Sequence, residues 1–143
     1  MVAVRTEVGR GSDMPAVDTW LHDLAERAHQ DTVRAATSEV AATVQGLFGQ
    51  RMVAFMTGVD DPKAVGRWAR QERSPREKTE QRLRDVYQIA RLLTLAESAE
   101  TARAWFIGMN PSFADRAPFA VLGEEPDAAP RVLAAAKAFV AGS

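Results

Sequence analysis

GVDDPKAVGRWARQERSPRE, residues 58–77, is the most informative segment for the fold, because it contains the signals that end one helix and begin the next. Gly58 is of the residue type that best closes a helix in the left-handed conformation. Asp61 and Pro62 then supply an N-cap and a proline at the first helical position, where the missing N–H costs nothing. The stretch therefore predicts a short helix that begins at Pro62 and runs to about Glu72.

A second helix start follows directly in the segment SPRE, residues 74–77. Ser74 is the predicted N-cap, Pro75 is the first helical residue, and Glu77 completes a capping box. We expect this helix to run to about Ala96. Its predicted apolar face consists of Leu83, Val86, Tyr87, Ala90 and Leu93.

The rest of the chain also has the apolar period of helices, and no segment alternates over the length of a strand. The expected elements are one long helix or two between Pro15 and about Leu47, with a break near residues 29–32, a helix at 99–108, a short turn at 118–123, and a last helix from Pro126. Residues 1–14 contain two glycines and few core residues, so we expect a flexible tail there. The sequence thus predicts an all-α fold.

The composition is that of one soluble globular unit. The chain has 143 residues, of which 46% are hydrophobic, and it has no cysteine. Its apolar runs are short and interrupted by charge, so we expect no membrane span. The N-terminus also lacks the pattern of a signal peptide. We therefore expect a cytoplasmic protein without disulfides.

The charges are unevenly distributed along the chain, although the net charge is only −1. Residues 1–50 contain 4 basic and 7 acidic side chains, residues 51–91 contain 10 and 6, and residues 92–143 contain 4 and 6. A neutral protein with a basic middle segment is typical of a chain that meets an anionic partner at one place.

The helix after Asp61 has one apolar and one cationic side. The apolar side consists of Val65, Trp68 and Ala69, and the cationic side of Lys63, Arg67 and Arg70. Two short helices joined by a tight turn form a helix-turn-helix, whose second helix can enter the major groove of DNA. Arg73 and Arg76, just beyond that helix, are then placed to contact phosphates. Exposed helix faces are commonly rich in Lys and Arg, so a solvated surface without DNA stays open as the alternative.

Gly66 interrupts the cationic helix. A glycine in a helix interior costs roughly 1 kcal/mol relative to alanine, so a specific reason for it is expected. Either the glycine allows two helices to pack closely, or it allows close approach to a sugar-phosphate backbone.

The segment TGVDDPKAVGRWARQERSPR resembles the helix-turn-helix of Xre-type regulators. The matching residues are Ala54, Gly58, Val59, Val65, Trp68, Arg73 and Pro75. This chain has one more residue between Gly58 and Val65 than the family pattern has. The extra residue changes the turn and the register of any base contacts.

Residues 102–139 add an independent resemblance, to the toxin-binding domain of the Xre/MbcA/ParS antitoxin family. The residues that match are Trp105, Asn110, Pro111, Pro118 and Leu122. The two matches cover about residues 46–140 in the usual order of the family. They suggest a tail over 1–14, a helical arm with an Xre-like helix-turn-helix domain over 15–91, and a toxin-binding domain over 92–143.

The resemblance implies an antitoxin of a type II toxin-antitoxin system. Such an antitoxin binds a RES-domain toxin, an enzyme that degrades NAD, and blocks the entrance of its active site. The resemblance also implies a homodimer or larger complex, and it allows repression of the antitoxin's own operon through operator DNA. The alternative is a DNA-binding transcriptional regulator with no toxin partner.

The candidate residues for toxin contact are Asn110, Pro111, Phe113 and Arg116. Aromatic and arginine side chains dominate the energetics of protein interfaces, which favours partner contact for Phe113 and Arg116. For Asn110 a structural role is favoured, as a left-handed cap of the preceding helix.

Trp105, Phe106 and Ile107 occupy adjacent helical positions, so they cannot all face one core. At least one of them is expected to be exposed or to meet a partner. For Trp105 a place in the core is the favoured interpretation.

The sequence contains no pattern of a catalytic site. There is no glycine-rich phosphate loop after a strand and no nucleophile elbow. His22, Glu26 and His29 share one side of a helix, but no further ligand stands at a firm spacing, and solvated polar residues are favoured over a metal site. We therefore expect no enzyme activity, no metal and no cofactor.

Overall fold

A computed structural model describes residues 15–142, and this part of the chain is helical without a strand. Its eight α-helices are α1 (Pro15–Arg34), α2 (Thr37–Phe48), α3 (Gln50–Thr57), α4 (Lys63–Ala69), α5 (Glu77–Ala96), α6 (Ala99–Ile107), α7 (Pro118–Glu124) and α8 (Ala129–Gly142). A single 3-10 turn, Pro111–Phe113, lies between α6 and α7. The all-α prediction is confirmed, while the predicted tail lies outside the described residues.

Helix α5 is the centre of the fold, because it contacts α1, α2, α3, α6 and α8. Its buried residues are Leu83, Val86, Tyr87, Ile89, Ala90, Leu92 and Leu93. The predicted apolar face is therefore confirmed. Ile89 and Leu92 widen it, which a helix covered on several sides requires.

The N-terminal arm is two helices, and the break lies at Ala35 and Ala36 instead of residues 29–32. The two helices have different neighbours, since α1 packs mainly on α5 and α2 packs mainly on α4. The carbonyl of Ala35 accepts a hydrogen bond from Arg84 Nη1 at 2.9 Å, so α5 caps the end of α1. Tertiary contacts thus place the break, and the apolar pattern alone put it too early.

Two glycines with positive φ separate α2, α3 and α4, and only Gly58 is in the left-handed helical conformation. Gly49 has φ of +83° between α2 and α3, and Gly58 has φ of +79° and caps α3. The N–H of Lys63 donates to Asp61 Oδ1 at 3.0 Å, as an N-cap side chain requires. The predicted caps at Gly58 and Asp61 are confirmed, and α4 begins at Lys63, one residue after the predicted start at Pro62.

Helix α4 ends at Ala69, three residues before the predicted end at Glu72. Gln71 adopts a left-handed φ of +62°. Its N–H donates to Trp68 O at 3.1 Å, and the N–H of Glu72 donates to Arg67 O at 2.9 Å. These two bonds form a Schellman motif, in which Gln71 occupies the position that normally holds glycine.

We expect Gln71→Gly to raise the free energy of unfolding by about 0.5 to 1 kcal/mol, because glycine removes the penalty of a side chain at positive φ. Denaturant unfolding monitored by circular dichroism measures the change. Gln71→Ala is the matched control, because it keeps a Cβ in the same conformation and leaves the stability nearly unchanged. An equal gain from both substitutions would contradict the conformational explanation.

The predicted capping box at Ser74 is wrong. Helix α5 begins at Glu77, and Arg76 before it is still extended, with φ of −65° and ψ of 159°. Because the backbone is extended at Arg76, Ser74 and Pro75 belong to the connection and not to the first turn of the helix. The last helix likewise begins at Ala129, three residues after Pro126.

The segments before and after residue 92 share one hydrophobic core. Phe106, which is fully buried, stacks at 4.5 Å between ring centroids on Phe48 of α2. Helix α3 packs on α7, where the ring of Phe55 lies edge-on to Phe119 at 5.8 Å. A Cβ on Gly123 would lie 2.2 Å from the Phe55 ring, so the present position of this ring depends on a glycine in α7.

Candidate nucleic-acid interface and partner surface

Helices α3 and α4, with the turn at residues 58–62, have the layout of a helix-turn-helix. Val65 and Trp68 of α4 are buried, and Ala69 is half-buried against the core. The predicted apolar side of α4 is therefore confirmed. Its opposite side faces solvent.

Gly66 serves close packing within the domain. It is buried, and a Cβ at this position would lie 2.5 Å from Gln50 Nε2. That amide nitrogen donates to Gln45 Oε1 at 2.9 Å, so a hydrogen-bonded pair of glutamines covers the glycine. Since Gly66 is buried beneath this pair, close approach to a sugar-phosphate backbone does not explain the glycine at this position.

The five residues predicted to contact DNA all reach the protein surface. They are Lys63, Arg70, Arg73 and Arg76, which are exposed, and Arg67, which is half-buried. The structure thus places the predicted set along α4 and the connection to α5. A phosphate backbone that follows this connection would find cations over its whole length.

Two of these arginines already have carboxylate partners. Arg67 Nη1 lies 3.3 Å from Asp61 Oδ2, and Arg70 Nε lies 2.8 Å from Glu72 Oε2. The pKa of the Asp61 carboxyl is lowered, first by the N–H of Lys63 and then by Arg67. The hydrogen bond from Arg70 lowers the pKa of the Glu72 carboxyl. A nucleic acid must therefore compete with these carboxylates for both arginines.

A cleft that sequence reasoning missed lies beside Arg73, between the start of α2 and the end of α4. It has a volume of about 280 Å³ and is lined by Ala36, Thr37, Ser38, Trp68, Gln71, Arg73 and Ser74. Ser38 and Gln71 therefore extend the surface beyond the predicted residues. No sequence signal marks this juxtaposition, because α2 and α4 meet only through the tertiary packing.

In the C-terminal segment, Asn110 has a structural role that differs from the predicted one. Its backbone is extended, with φ of −132°, and its Oδ1 accepts from the N–H of Ser112 at 2.9 Å. It therefore caps the following 3-10 turn, which begins at Pro111, and not the preceding helix. The left-handed residues of this loop are Ala114 and Asp115, with φ of +55° and +67°.

Phe113 is a core residue, which corrects its assignment as an exposed interface anchor. Its side chain is 6% exposed, and the guanidinium of Arg131 lies over the ring at 5.7 Å. The short 3-10 turn directs the ring inward. The sequence alone did not predict this direction, because it did not predict the conformation of the loop.

Arg116 is half-buried and bound to its own chain. Its guanidinium pairs with Glu124 and, at 2.7 Å, with Glu125, which also pairs with Arg131. The hydrogen bonds to Glu125 and Glu124 raise the pKa of Arg116, and the bond to Glu125 contributes most. The same bond from Arg116 lowers the pKa of the Glu125 carboxyl. A partner that binds Arg116 must share it with these carboxylates.

Two large apolar side chains at the end of α6 reach solvent. Trp105 and Phe106 are buried, whereas Ile107 is 49% exposed and Met109 is 81% exposed. The predictions that Trp105 lies in the core and that one of the three adjacent residues faces outward are confirmed. Met109 was missed by sequence reasoning. The sequence signal for its exposure is its position after the end of α6 and directly before Asn110 and Pro111.

No protein-family model, curated protein or solved structure matches this chain. In the part of the chain that the structure describes, no helix is long and apolar enough to cross a membrane. The same residues contain no group of three or more His, Asp or Glu side chains that could hold a metal ion.

Proposed function

We propose that the protein is an antitoxin that binds a RES-domain, NAD-degrading toxin directly and blocks the entrance of its active site. The observation that carries this proposal is the exposed apolar surface formed by Ile107, Met109 and Pro111, here called the α6 surface. It lies in the segment that resembles the toxin-binding domain of the Xre/MbcA/ParS family. The helix-turn-helix precedes it, in the order that the family has.

The α6 surface has the chemistry of a protein interface. A methionine side chain is flexible and polarizable, so it adapts to an irregular apolar partner. Large apolar side chains next to one another in solvent are typical of interaction sites. The folded loop from Asn110 to Arg116 gives this surface a defined shape, because the backbone N–H of Asp115 donates to Asn110 O at 2.9 Å.

We expect the double substitution Ile107→Asp and Met109→Asp to weaken toxin binding at least tenfold, because two charges would be buried against an apolar partner. The toxin to test is the product of the neighbouring reading frame. Calorimetric titration measures the affinity, and NAD hydrolysis by the toxin, followed with and without the variant, measures neutralisation.

The matched control is Val33→Asp with Trp20→Asp. Both residues lie on α1 and are 68% and 46% exposed, so the control adds the same charge at similarly exposed apolar positions. We expect it to bind and neutralise like the unmodified protein. Full neutralisation by the α6 variant, or a neighbouring frame without a RES-type product, would overturn the proposal.

The second candidate function is DNA binding, either by the antitoxin at its own operator or by a regulator with no toxin partner. The exposed cations of α4 and of the connection to α5 favour it. Lys63, Arg73 and Arg76 make no ion pair within residues 15–142, so a phosphate can bind them without breaking one.

For DNA binding we expect two double substitutions to act in opposite directions. Arg67→Ala with Arg70→Ala removes two cations and should weaken binding to the protein's own promoter roughly tenfold, with a smaller salt dependence. Asp61→Asn with Glu72→Gln releases the same two arginines and should strengthen it. Fluorescence anisotropy at two salt concentrations measures both.

Charge-matched controls separate a specific site from general attraction. Arg27→Ala with Arg34→Ala removes two exposed arginines of α1, outside the helix-turn-helix, and Glu26→Gln with Glu97→Gln removes two exposed carboxylates elsewhere. Both should change the affinity much less than the α4 variants. If the controls and the α4 variants behave alike, α4 is not the interface.

A further inference from the structure

The cleft between α5 and α8 is separate from both surfaces described above. It has a volume of about 220 Å³ and is lined by Asp85, Gln88, Ile89, Ala129, Pro130 and Leu133, here called the α5–α8 cleft. A wider groove of about 490 Å³ shares Asp85, Ala129 and Pro130 with it, and its other charged lining residues are Lys78, Arg82 and Asp127. The two together form an elongated depression along α5.

Asp85 is the one charged residue that lines the α5–α8 cleft. Its Oδ1 accepts a hydrogen bond from Gln81 Nε2 at 2.9 Å, and it makes no ion pair with the described residues. The nearby Arg82 is directed elsewhere, because its Nη2 donates to Leu122 O at 2.8 Å. Burial raises the pKa of the Asp85 carboxyl. Asp85 therefore presents a half-buried carboxylate to the cleft. Arg82 attracts this carboxylate by its charge but makes no ion pair with it.

We propose that the α5–α8 cleft binds a lysine side chain presented by a partner polypeptide. The aliphatic stem of lysine would lie along Ile89, Pro130 and Leu133, and its ammonium would meet the unpaired charge of Asp85. The wider groove would hold the residues that flank this lysine. This inference goes beyond the proposed function and does not depend on it.

Lysine fits better than arginine because one oxygen of Asp85 is already occupied. A guanidinium binds a carboxylate best through both oxygens, whereas an ammonium acts as a point charge and needs only one. A polypeptide fits better than a small free amine because the amine would fill the cleft and leave the adjoining groove empty. The Gln88 amide at the cleft can in addition bond to a peptide backbone.

Two short peptides test the proposal on the full chain. They are acetyl-Ala-Ala-Lys-Ala-Ala-amide and the same peptide with norleucine, which has a similar stem without charge, in place of lysine. Amide chemical shifts are followed during titration with each. We expect shifts centred on Gln88, Ile89 and Leu133, and at least fivefold tighter binding of the lysine peptide, as for a partly desolvated ion pair.

Asp85→Asn should abolish the preference for lysine. The matched control Asp23→Asn, which removes an exposed carboxylate on α1 outside the groove, should keep it. Equal binding of the two peptides to the unmodified protein would overturn the proposal. So would a lysine preference that persists in Asp85→Asn, or shifts spread over unrelated acidic residues.

The stability of Asp85→Leu distinguishes a binding role from a structural one. A carboxylate that binds a partner is retained at a cost to the free protein, so its replacement by leucine should leave the melting temperature unchanged or raise it. A clear fall in melting temperature would indicate that Asp85 serves the fold and would count against the proposal.

Discussion

Phe106→Ala is expected to lower the free energy of unfolding by about 3 to 5 kcal/mol, the cost of deleting a fully buried aromatic side chain. Phe106 is 0% exposed and contacts Phe48 of α2 and Trp105 of α6. Its removal leaves a cavity at the junction of the two halves of the chain. Because one core includes residues from both halves, we expect a single unfolding transition at lower denaturant concentration.

Tryptophan fluorescence, circular dichroism and hydrogen exchange measure this prediction in complementary ways. Trp68 lies in α4 and Trp105 in α6, and protection of amides in α2 and α5 reports on the first half. Phe139→Ala is the control, because this ring contacts Trp105 at 6.4 Å but is 38% exposed. Its effect should be clearly smaller. Loss of α6 to α8 alone, with α2 to α5 still protected, would mean that residues 92–143 unfold as an independent domain.

Arg84→Ala is expected to destabilise the protein by about 2 to 4 kcal/mol, because it leaves several partly buried polar groups unpaired. The guanidinium donates to Thr32 O at 2.7 Å and Ala35 O at 2.9 Å, the carbonyls at the end of α1. It also donates to Thr37 Oγ1 at 3.2 Å and lies 3.1 Å from Glu80 Oε2. One cation thus joins α1, α2 and α5.

Urea unfolding of Arg84→Ala, Arg84→Lys and Arg51→Ala checks this assignment. Lysine keeps the charge but lacks the planar fork, so Arg84→Lys should recover only part of the loss. Arg51 is exposed and makes no ion pair in the described part of the chain, so Arg51→Ala should change the stability by less than about 0.5 kcal/mol. A loss at Arg84 no greater than that at Arg51 would refute the role of Arg84 as a tertiary cap.

Several helix ends were predictable because they depend on a few neighbouring residues. Gly58 ends α3 since glycine adopts the left-handed conformation without a steric penalty. Asp61 caps α4 since its carboxylate reaches the N–H of Lys63, only two residues away. The capping box at Ser74 failed although its pattern was equally good. The conformation of Arg76 depends on where the chain must enter α5, and the four residues of the box do not contain that information.

In the candidate sites, too, the features that depend on neighbouring residues were predictable, and those that depend on tertiary contacts were not. The exposure of Lys63, Arg67 and Arg70 followed from the helical period, because Val65 and Trp68 had to face the core. The ion pair between Arg70 and Glu72 did not follow, since it depends on the left-handed turn at Gln71. Phe113 was predicted to contact a partner from its residue type, and the conformation of its loop, which turns it into the core, could not be predicted from the sequence. The α5–α8 cleft joins residues of two helices that are at least 40 positions apart, and no local pattern indicates it.

The amino-acid sequence determines the helical class, the apolar faces and the caps at Gly58 and Asp61, because these follow from residue type and spacing within a few turns. Which of these apolar helix faces pack against each other is determined only in the tertiary structure. It places the break at Ala35 under Arg84, buries Gly66 beneath two glutamines, turns Phe113 inward and leaves Met109 outside. Each of these outcomes depends on contacts between residues distant in the chain, and the energies that select them exist only once the core has formed.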